Sequence, residues 1–220
     1  MTLKRQDKLV FMGDSITHAH RRPEEVHDVY YLGHGYVTRI AGELNADYPQ
    51  LELSYVNVGE CGQGVPEFAP RWDRDCLAHR PALVSILTGI NDAHIGRKDR
   101  SVAGFESGYR QLLERTRAAL PGVKFVLLEP FGVRLEAGYT ASVGLISEDQ
   151  NREVRLRQPA VRKLAAEFSA VFVPLQDAFD APGVKGSHWA LDGIHPTSAG
   201  HCVITRRWLK AVKAAGWLPG

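Results

Sequence analysis

Five short apolar runs alternate along the chain with longer segments whose apolar residues recur at helical spacing. The runs occupy residues 9–12, 51–58, 82–88, 123–128 and 170–173, and each has the length of a buried strand. The helical segments occupy residues 36–48, 67–79, 105–120, 150–168 and 198–214. Strands that alternate with helices form right-handed crossover units and a parallel sheet. The pattern therefore predicts an α/β fold: a three-layer α/β/α sandwich around a five-stranded parallel sheet of flavodoxin-like order 2-1-3-4-5.

Three of the predicted strands end in a polar motif that contains glycine. The motifs are Gly13-Asp14-Ser15 after the first strand, Gly59-Glu60-Cys61-Gly62 after the second and Gly89-Ile90-Asn91-Asp92 after the third. In the order 2-1-3-4-5 these three strands are neighbours, so their motifs lie side by side at the carboxyl edge of the sheet. Ligands of open α/β sheets bind at that edge. The sequence thus predicts a functional site there.

Length and composition limit the class of protein. A chain of 220 residues without a linker or repeat predicts a single domain over residues 1–220. The net charge of +2 comes without a basic stripe, which argues against nucleic-acid binding. The charged N-terminus precedes only a very short apolar run, so we expect neither a signal peptide nor a membrane span. Three cysteines without metal-type spacing indicate free thiols and a cytoplasmic location.

Ser15 is the first candidate nucleophile, because it stands where the first strand stops at the ligand-binding edge. Acyl transfer through a serine also needs a base, a group that orients the base and donors for the developing oxyanion. The Ser15 N–H, the Gly62 N–H and the Asn91 side-chain amide are the predicted oxyanion donors. The alternative is that Asp14 and Ser15 merely cap the following helix, as these residue types often do.

The segment Asp192-Gly193-Ile194-His195-Pro196 supplies a candidate base. An aspartate and a histidine three residues apart on a turn can share a hydrogen bond. That bond fixes the imidazole tautomer and leaves the other ring nitrogen facing Ser15. The alternative is that Asp192 starts a turn and His195 lies in an extended connection before Pro196.

Together the four motifs resemble the four conserved blocks of the SGNH (GDSL-type) hydrolases, in the family's order and from Leu9 to about Lys213. Three further segments resemble the bacterial carbohydrate-esterase branch, which includes acetylxylan esterases: Leu32-Gly33-His34-Gly35-Tyr36-Val37, Ala69-Pro70-Arg71-Trp72 and Leu128-Glu129-Pro130-Phe131. The resemblance implies that Ser15 is the nucleophile, that His195 is the base and that Asp192 orients it. It also implies oxyanion donors at Ser15, Gly62 and Asn91, and structural support from Asp14 and Asn57.

Two stretches depart from the family's usual pattern and put the substrate in doubt rather than the mechanism. They are His18-Ala19-His20 after the first block and Gly59-Glu60-Cys61-Gly62-Gln63 in the second. We interpret Cys61 as a small packed side chain rather than a thiol nucleophile, because no second base accompanies it. Four histidines, His18, His20, His27 and His34, lack the helical spacing of a metal site. We therefore expect no metal and no cofactor.

The predicted function is a serine esterase that removes a short acyl group, in the first place acetyl, from a carbohydrate or similar polar alcohol. The partner is then a small-molecule ester, with a homo-oligomer left open. Trp189, near Asp192, either stacks on a sugar ring or anchors its loop in the core. Two other functions stay open: a glycan-binding protein without catalysis, and a metal-dependent phosphoesterase. The ligands of the latter would come from Asp14, Asn91, Asp92, His94, Asp192 and His195.

Overall fold

The structure is a computed structural model that describes residues 2–24, 30–141 and 144–219. Its centre is a parallel five-stranded sheet of order β2-β1-β3-β4-β5, which confirms the predicted topology. The strands are β1 Lys8–Gly13, β2 Ser54–Asn57, β3 Leu83–Leu87, β4 Lys124–Leu128 and β5 Val171–Val173. The single-domain organisation remains a prediction.

Helices cover both faces of the sheet. They are α1 Ser15–His18, α2 Tyr36–Asp47, α3 Val65–Phe68, α4 Trp72–Asp75, α5 Val102–Ala119, α6 Glu148–Glu167, α7 Gln176–Phe179, α8 Gly186–Trp189 and α9 Ser198–Ala214. Successive residues of β1 point to opposite faces, as the strand geometry requires. Leu9 and Phe11 pack in one core cluster with α2 and α9, whereas Val10 and Met12 pack in the other with α5. The result is the predicted three-layer arrangement.

The pairing register brings the strand ends together. Gly13, the last residue of β1, pairs with Leu87, the last of β3. On the other side of β1, Phe11 pairs with Asn57, the last residue of β2. The segments that follow these three strands therefore leave the sheet next to one another, with the one that carries Ser15 in the middle.

The prediction of one continuous helix over residues 67–79 is wrong. The structure divides the segment into α3, a 3₁₀ turn Ala69–Arg71, α4 and a second 3₁₀ turn Leu77–His79. Pro70 has no N–H to donate to the preceding turn, so the α-helical ladder breaks there. The periodicity behind the prediction is nevertheless real, since Phe68, Trp72 and Cys76 are all fully buried.

Two other elements differ from the sequence prediction. The second strand is shorter than residues 51–58, because Pro49–Leu51 forms a 3₁₀ turn and Glu52 adopts a left-handed conformation. Helix α6 begins at Glu148 behind its cap Ser147, and it continues through Pro159. Burial of one face of α6 on both sides of that proline maintains the helix. Within the described ranges, no helix is long and apolar enough to cross a membrane.

Candidate active site

Ser15 and His195 meet at the carboxyl edge of the sheet. Ser15 is the first residue of α1, directly after the β1 terminus. His195 comes from the loop before α9, 180 residues away in sequence. The Ser15 Oγ lies 2.8 Å from the His195 Nε2. This is the distance of a hydrogen bond between a hydroxyl and a neutral imidazole.

Asp192 holds the other side of the imidazole. Its Oδ2 lies 2.6 Å from the His195 Nδ1, and its Oδ1 accepts the N–H groups of Ile194 at 2.8 Å and His195 at 2.7 Å. The Asp192 side chain is buried, and the loop around it is closed by a hydrogen bond from the Leu191 N–H to the His195 carbonyl. Both carboxylate oxygens thus accept hydrogen bonds, which fixes the orientation of the carboxylate relative to the imidazole ring.

The two groups have pKa values that fit this pairing. Burial raises the pKa of Asp192, but the hydrogen bonds from the His195 ring and the two amides outweigh it, so that the pKa is lowered overall. The hydrogen bond to Asp192 raises the pKa of His195, against the opposing effect of burial. The carboxylate is therefore ionised at neutral pH, and the imidazole becomes a stronger base than a free one.

Asp14 caps the short helix that carries Ser15. Its Oδ1 accepts the Ile16 N–H at 2.9 Å, and its carbonyl accepts the N–H groups of Thr17 and His18. Ser15 is the first residue of that helix, where no preceding carbonyl accepts its N–H. The cap thus fixes the Ser15 backbone and leaves its N–H available.

The other oxygen of Asp14 is a buried acceptor without a partner among the described residues. The side chain is fully buried. Burial raises the pKa of Asp14 to about 7, with a smaller contribution from the charge of Asp92. An ionised Asp14 therefore costs folding free energy, and this cost grows as the pH rises from the ordinary carboxyl pKa to about 7.

We expect Asp14→Asn to gain stability relative to the wild type as the pH rises. The folded-state pKa is raised, so the stabilising effect of the bound proton is present at low pH and lost as the pH increases through about 7. Between pH 5 and pH 8 the difference in unfolding free energy should change by about 3 kcal/mol in favour of the variant. Urea unfolding of both proteins at the two pH values measures it. A difference that is independent of pH would contradict the raised pKa.

Asn57 ties three segments together beneath the site. Its Nδ2 donates to the carbonyls of Thr17 at 2.7 Å and Leu32 at 2.9 Å, and its Oδ1 accepts the Gly59 N–H at 3.0 Å. The side chain is buried. Every hydrogen-bonding group of this amide except one lone pair is thereby used, which links the second motif to the segment after Ser15.

Gly62 and Asn91 lie on the segments after β2 and β3. Gly62 has a φ of +75°, although a Cβ there would meet no atom within 4 Å. The glycine is thus required by the backbone conformation and not by a lack of space. The Asn91 Nδ2 donates one hydrogen to the Gln63 carbonyl at 2.9 Å, which orients the amide. Each nitrogen can still offer an N–H to a ligand.

A cleft of about 850 Å³ opens in front of Ser15, Asp192 and His195. The segment 139–141 forms one wall. Its other lining residues come from the segment after Ser15, from the motif after β2 and from the region around α9: Ile16, His18, Ala19, His20, His34, Cys61, Leu191, Pro196, Thr197, Ser198 and His201. The histidine at position 27 lies outside the described residues.

Burial, followed by the charge of Glu60, raises the pKa of the Cys61 thiol, which disfavours a thiolate nucleophile.

Two of the ligands that the phosphoesterase alternative would need have other partners. Asp92 accepts the Val65 N–H at 2.9 Å, and the exposed His94 accepts the Gly96 N–H at 3.1 Å. In the part of the chain that the structure describes, no group of three or more histidine, cysteine, aspartate or glutamate side chains could hold a metal ion. Nothing in this geometry favours the phosphoesterase hypothesis.

Trp189 is partly buried and packs against the core, which favours the second of its two interpretations, the anchor of its loop, over a platform for a sugar. The indole contacts Phe179 edge-on with ring centroids 6.3 Å apart, and it packs against the core cluster behind α9. Its Nε1 is buried without a hydrogen-bond partner in the described ranges. An N–H in that position has no access to a sugar hydroxyl. The packing agrees with the alternative interpretation, in which Trp189 anchors the loop of Asp192.

Two arginines near the site escaped the sequence analysis. The Arg21 Nε donates to the Gly59 carbonyl at 2.9 Å, and its Nη2 pairs with Glu60 at 2.5 Å. Arg97 donates to the carbonyls of Gly62 and Asn91. Neither arginine belongs to a motif or to a periodic face, so only the folded geometry identifies them.

Comparisons with known proteins agree with this arrangement. The model of the GDSL-like lipase/acylhydrolase family matches residues 11–203. An acetylxylan esterase from Geobacillus stearothermophilus is 32% identical over 216 residues, which cover 94% of each chain. The crystal structure of Axe2, an acetylxylan esterase of that organism, covers 100% of both chains with a TM-score of 0.83 and 29% identity. A GDSL-like protein from Parabacteroides merdae covers 96% of this chain and 98% of its own, with a TM-score of 0.87 and 32% identity. Solved catalytic mutants of Axe2 have alanine in place of an aspartate, a serine or a histidine.

Proposed function

The chain belongs to the GDSL-like lipase/acylhydrolase family and is a carboxylic-ester hydrolase, and we propose that it removes acetyl or similarly short acyl groups from a carbohydrate or another polar alcohol. The observation that carries the proposal is the continuous contact from the Ser15 Oγ through His195 to Asp192, with distances of 2.8 and 2.6 Å. A hydroxyl, an imidazole and a carboxylate in that order are the parts of a serine nucleophile and its base.

In the proposed mechanism, the Ser15 Oγ attacks the ester carbonyl carbon while the His195 Nε2 accepts the hydroxyl proton. Asp192 holds the ring in the tautomer that has its proton on Nδ1, and stabilises the imidazolium that forms. The tetrahedral intermediate collapses when the imidazolium gives its proton to the leaving alcohol oxygen. Water then attacks the acyl-enzyme with His195 again as base, which releases the acid and restores Ser15.

The developing oxyanion receives hydrogen bonds from the N–H of Ser15, the N–H of Gly62 and the Asn91 amide. Loss of one such donor costs about 3–4 kcal/mol of transition-state stabilisation in comparable enzymes. Asp14 and Asn57 support this geometry from below, since they fix the backbone at Ser15 and at Gly59.

The walls of the cleft and the relatives support the proposed substrate class. Five histidines and five hydroxyl-bearing side chains are among the seventeen described lining residues, whereas a long acyl chain needs a continuous apolar wall. The acetylxylan esterase relatives make an acetylated carbohydrate the preferred candidate. Because all three cysteines are free, we also propose the cytoplasmic location that the sequence predicted.

We expect the acyl-chain preference to peak at acetyl. On p-nitrophenyl esters, kcat/KM for the acetate should exceed that for the octanoate by about tenfold or more, because Ile16 and Leu191 are the only large aliphatic side chains among the described lining residues. Steady-state kinetics on the series from two to twelve carbons measures this, with acetylated xylo-oligosaccharides as the test of the alcohol. A maximum at eight carbons or more would refute the short-acyl assignment.

We expect the rate to fall with decreasing pH through one dominant ionisation, at a pKa above the ordinary imidazole value of about 6.5. The reason is that His195 must be neutral to accept the Ser15 proton, and the Asp192 hydrogen bond raises its pKa. The dependence of kcat/KM on pH measures it, with and without EDTA. Loss of activity in EDTA and its return with Mn²⁺ or Zn²⁺ would instead support the phosphoesterase alternative.

A further inference from the structure

Arg97 contacts both loops that carry the proposed oxyanion donors. Its Nη2 donates to the Gly62 carbonyl at 2.7 Å, and its Nε donates to the Asn91 carbonyl at 3.1 Å. Its Nη1 forms an ion pair with Glu67. The side chain is only 21% exposed, and a planar guanidinium with three fixed partners has little freedom to rotate.

These contacts join two loops that the sheet does not join. Gly62 follows β2 and Asn91 follows β3, and in the order β2-β1-β3 the strand before Ser15 separates them. No ladder hydrogen bond therefore fixes the distance between the two loops at this edge. Arg97 and the hydrogen bond from Asn91 to the Gln63 carbonyl bridge that separation.

Glu67 anchors the guanidinium on the side of the second motif. Its Oε2 accepts the Gly64 N–H at 2.8 Å. Burial raises the pKa of Glu67, but the Gly64 amide and Arg97 outweigh it and lower the pKa overall, so the carboxylate stays ionised. The loop is thereby held at the Gly62 carbonyl and at the Gly64 N–H.

The restraint by Arg97 matters because the backbone of a glycine such as Gly62 does not by itself favour one conformation. Glycine visits positive and negative φ with similar ease, so a φ of +75° persists only when contacts select it. An oxyanion donor has to be fixed before the reaction starts, and a displacement of about 1 Å costs about 100-fold in rate.

We propose that Arg97 is a positioning residue that sets the Gly62 N–H and the Asn91 amide around the oxyanion without touching the substrate. This inference rests on the proposed function. It predicts that Arg97→Met lowers kcat by about 10- to 100-fold, while KM changes by less than about threefold. The loss falls on kcat because the donors are needed in the transition state more than in the ground state.

Arg100→Met is the matched control. Arg100 lies on the same segment, has a similarly exposed side chain, binds the Ala93 carbonyl and pairs with Asp149. It contacts neither Gly62 nor Asn91, so its kcat should stay within about twofold of the wild type. If Arg97→Met does not fold, Arg97→Lys keeps a cation beside Glu67 and should still lose rate, because one ammonium cannot reach three partners.

The coupling between Arg97 and Asn91 distinguishes a positioning role from a purely structural one. The fold loss of kcat in the double variant Arg97→Met with Asn91→Ala should be smaller than the product of the fold losses in the two single variants, because Arg97 acts partly through Asn91. Inactivation by a serine-directed phosphonate, whose oxygen occupies the oxyanion position, should slow in parallel with kcat.

A kcat for Arg97→Met within twofold of the wild type, or fully multiplicative losses of kcat in the double variant, would overturn the inference. If Ser15→Ala were active, the proposed function itself would fail, so the two failures are distinguishable.

Discussion

Replacement of Ser15 by alanine is expected to lower kcat for acetyl ester hydrolysis by about 10⁴- to 10⁶-fold. The Oγ is the only atom removed, and it is the atom that lies 2.8 Å from the His195 Nε2. Without it no acyl-enzyme forms, and the residual rate comes from binding and from the oxyanion donors alone. Initial rates with p-nitrophenyl acetate, together with mass spectrometry of the phosphonate-treated protein, measure the effect.

Ser198→Ala is the control for this variant. Ser198 is an exposed serine in the wall of the same cleft, at the first position of α9. It lies outside the contact from Ser15 to Asp192, so we expect its kcat to stay near the wild-type value. Thermal unfolding should be unchanged in both variants, because neither removes buried apolar surface. Activity of Ser15→Ala near the wild type would refute the serine mechanism and make Cys61 the next candidate nucleophile.

The fold and the proximity of the strand-end motifs could be predicted because both are encoded by short-range patterns. Apolar runs with glycine-containing ends specify strands, and the topology rules for parallel sheets then bring the ends together. The register of Gly13 with Leu87 and of Phe11 with Asn57 is what makes three separate motifs into one site. None of these steps needs information about individual side-chain orientations.

The features that could not be predicted depend on such orientations. Nothing in the sequence says whether the indole of Trp189 points into the cleft or against Phe179, since both environments suit an aromatic ring. Likewise, Arg97 acquires its role only when the folded chain brings the carbonyls of Gly62 and Asn91 within its reach. The broken helix over residues 67–79 shows a third case, in which the apolar period is right and Pro70 interrupts the backbone.

Asp192→Asn is expected to lower kcat by about 10⁴-fold with little effect on the fold. The wild-type Oδ1 accepts two backbone N–H groups, at 2.7 and 2.8 Å, so the amide oxygen of asparagine must take that position. The NH₂ group then occupies the place of Oδ2 and donates to the His195 Nδ1. The opposite orientation would set two N–H donors against an NH₂, which no rotation relieves.

The imidazole is thereby held in the wrong tautomer. With Nδ1 as acceptor, the ring carries its proton on Nε2, the atom 2.8 Å from the Ser15 Oγ, and it cannot accept the hydroxyl proton. Loss of the carboxylate charge also removes the main cause of the raised His195 pKa, so the acid limb of the remaining activity should move to lower pH. The pH profile of kcat/KM measures both effects, with Asp177→Asn, an exposed acid paired with Arg207, as control. A loss of less than tenfold would mean that a group other than Asp192 orients the base. A large loss with an unshifted acid limb would mean that the substitution merely perturbs the loop, because such a perturbation lowers the rate without changing the pKa of His195.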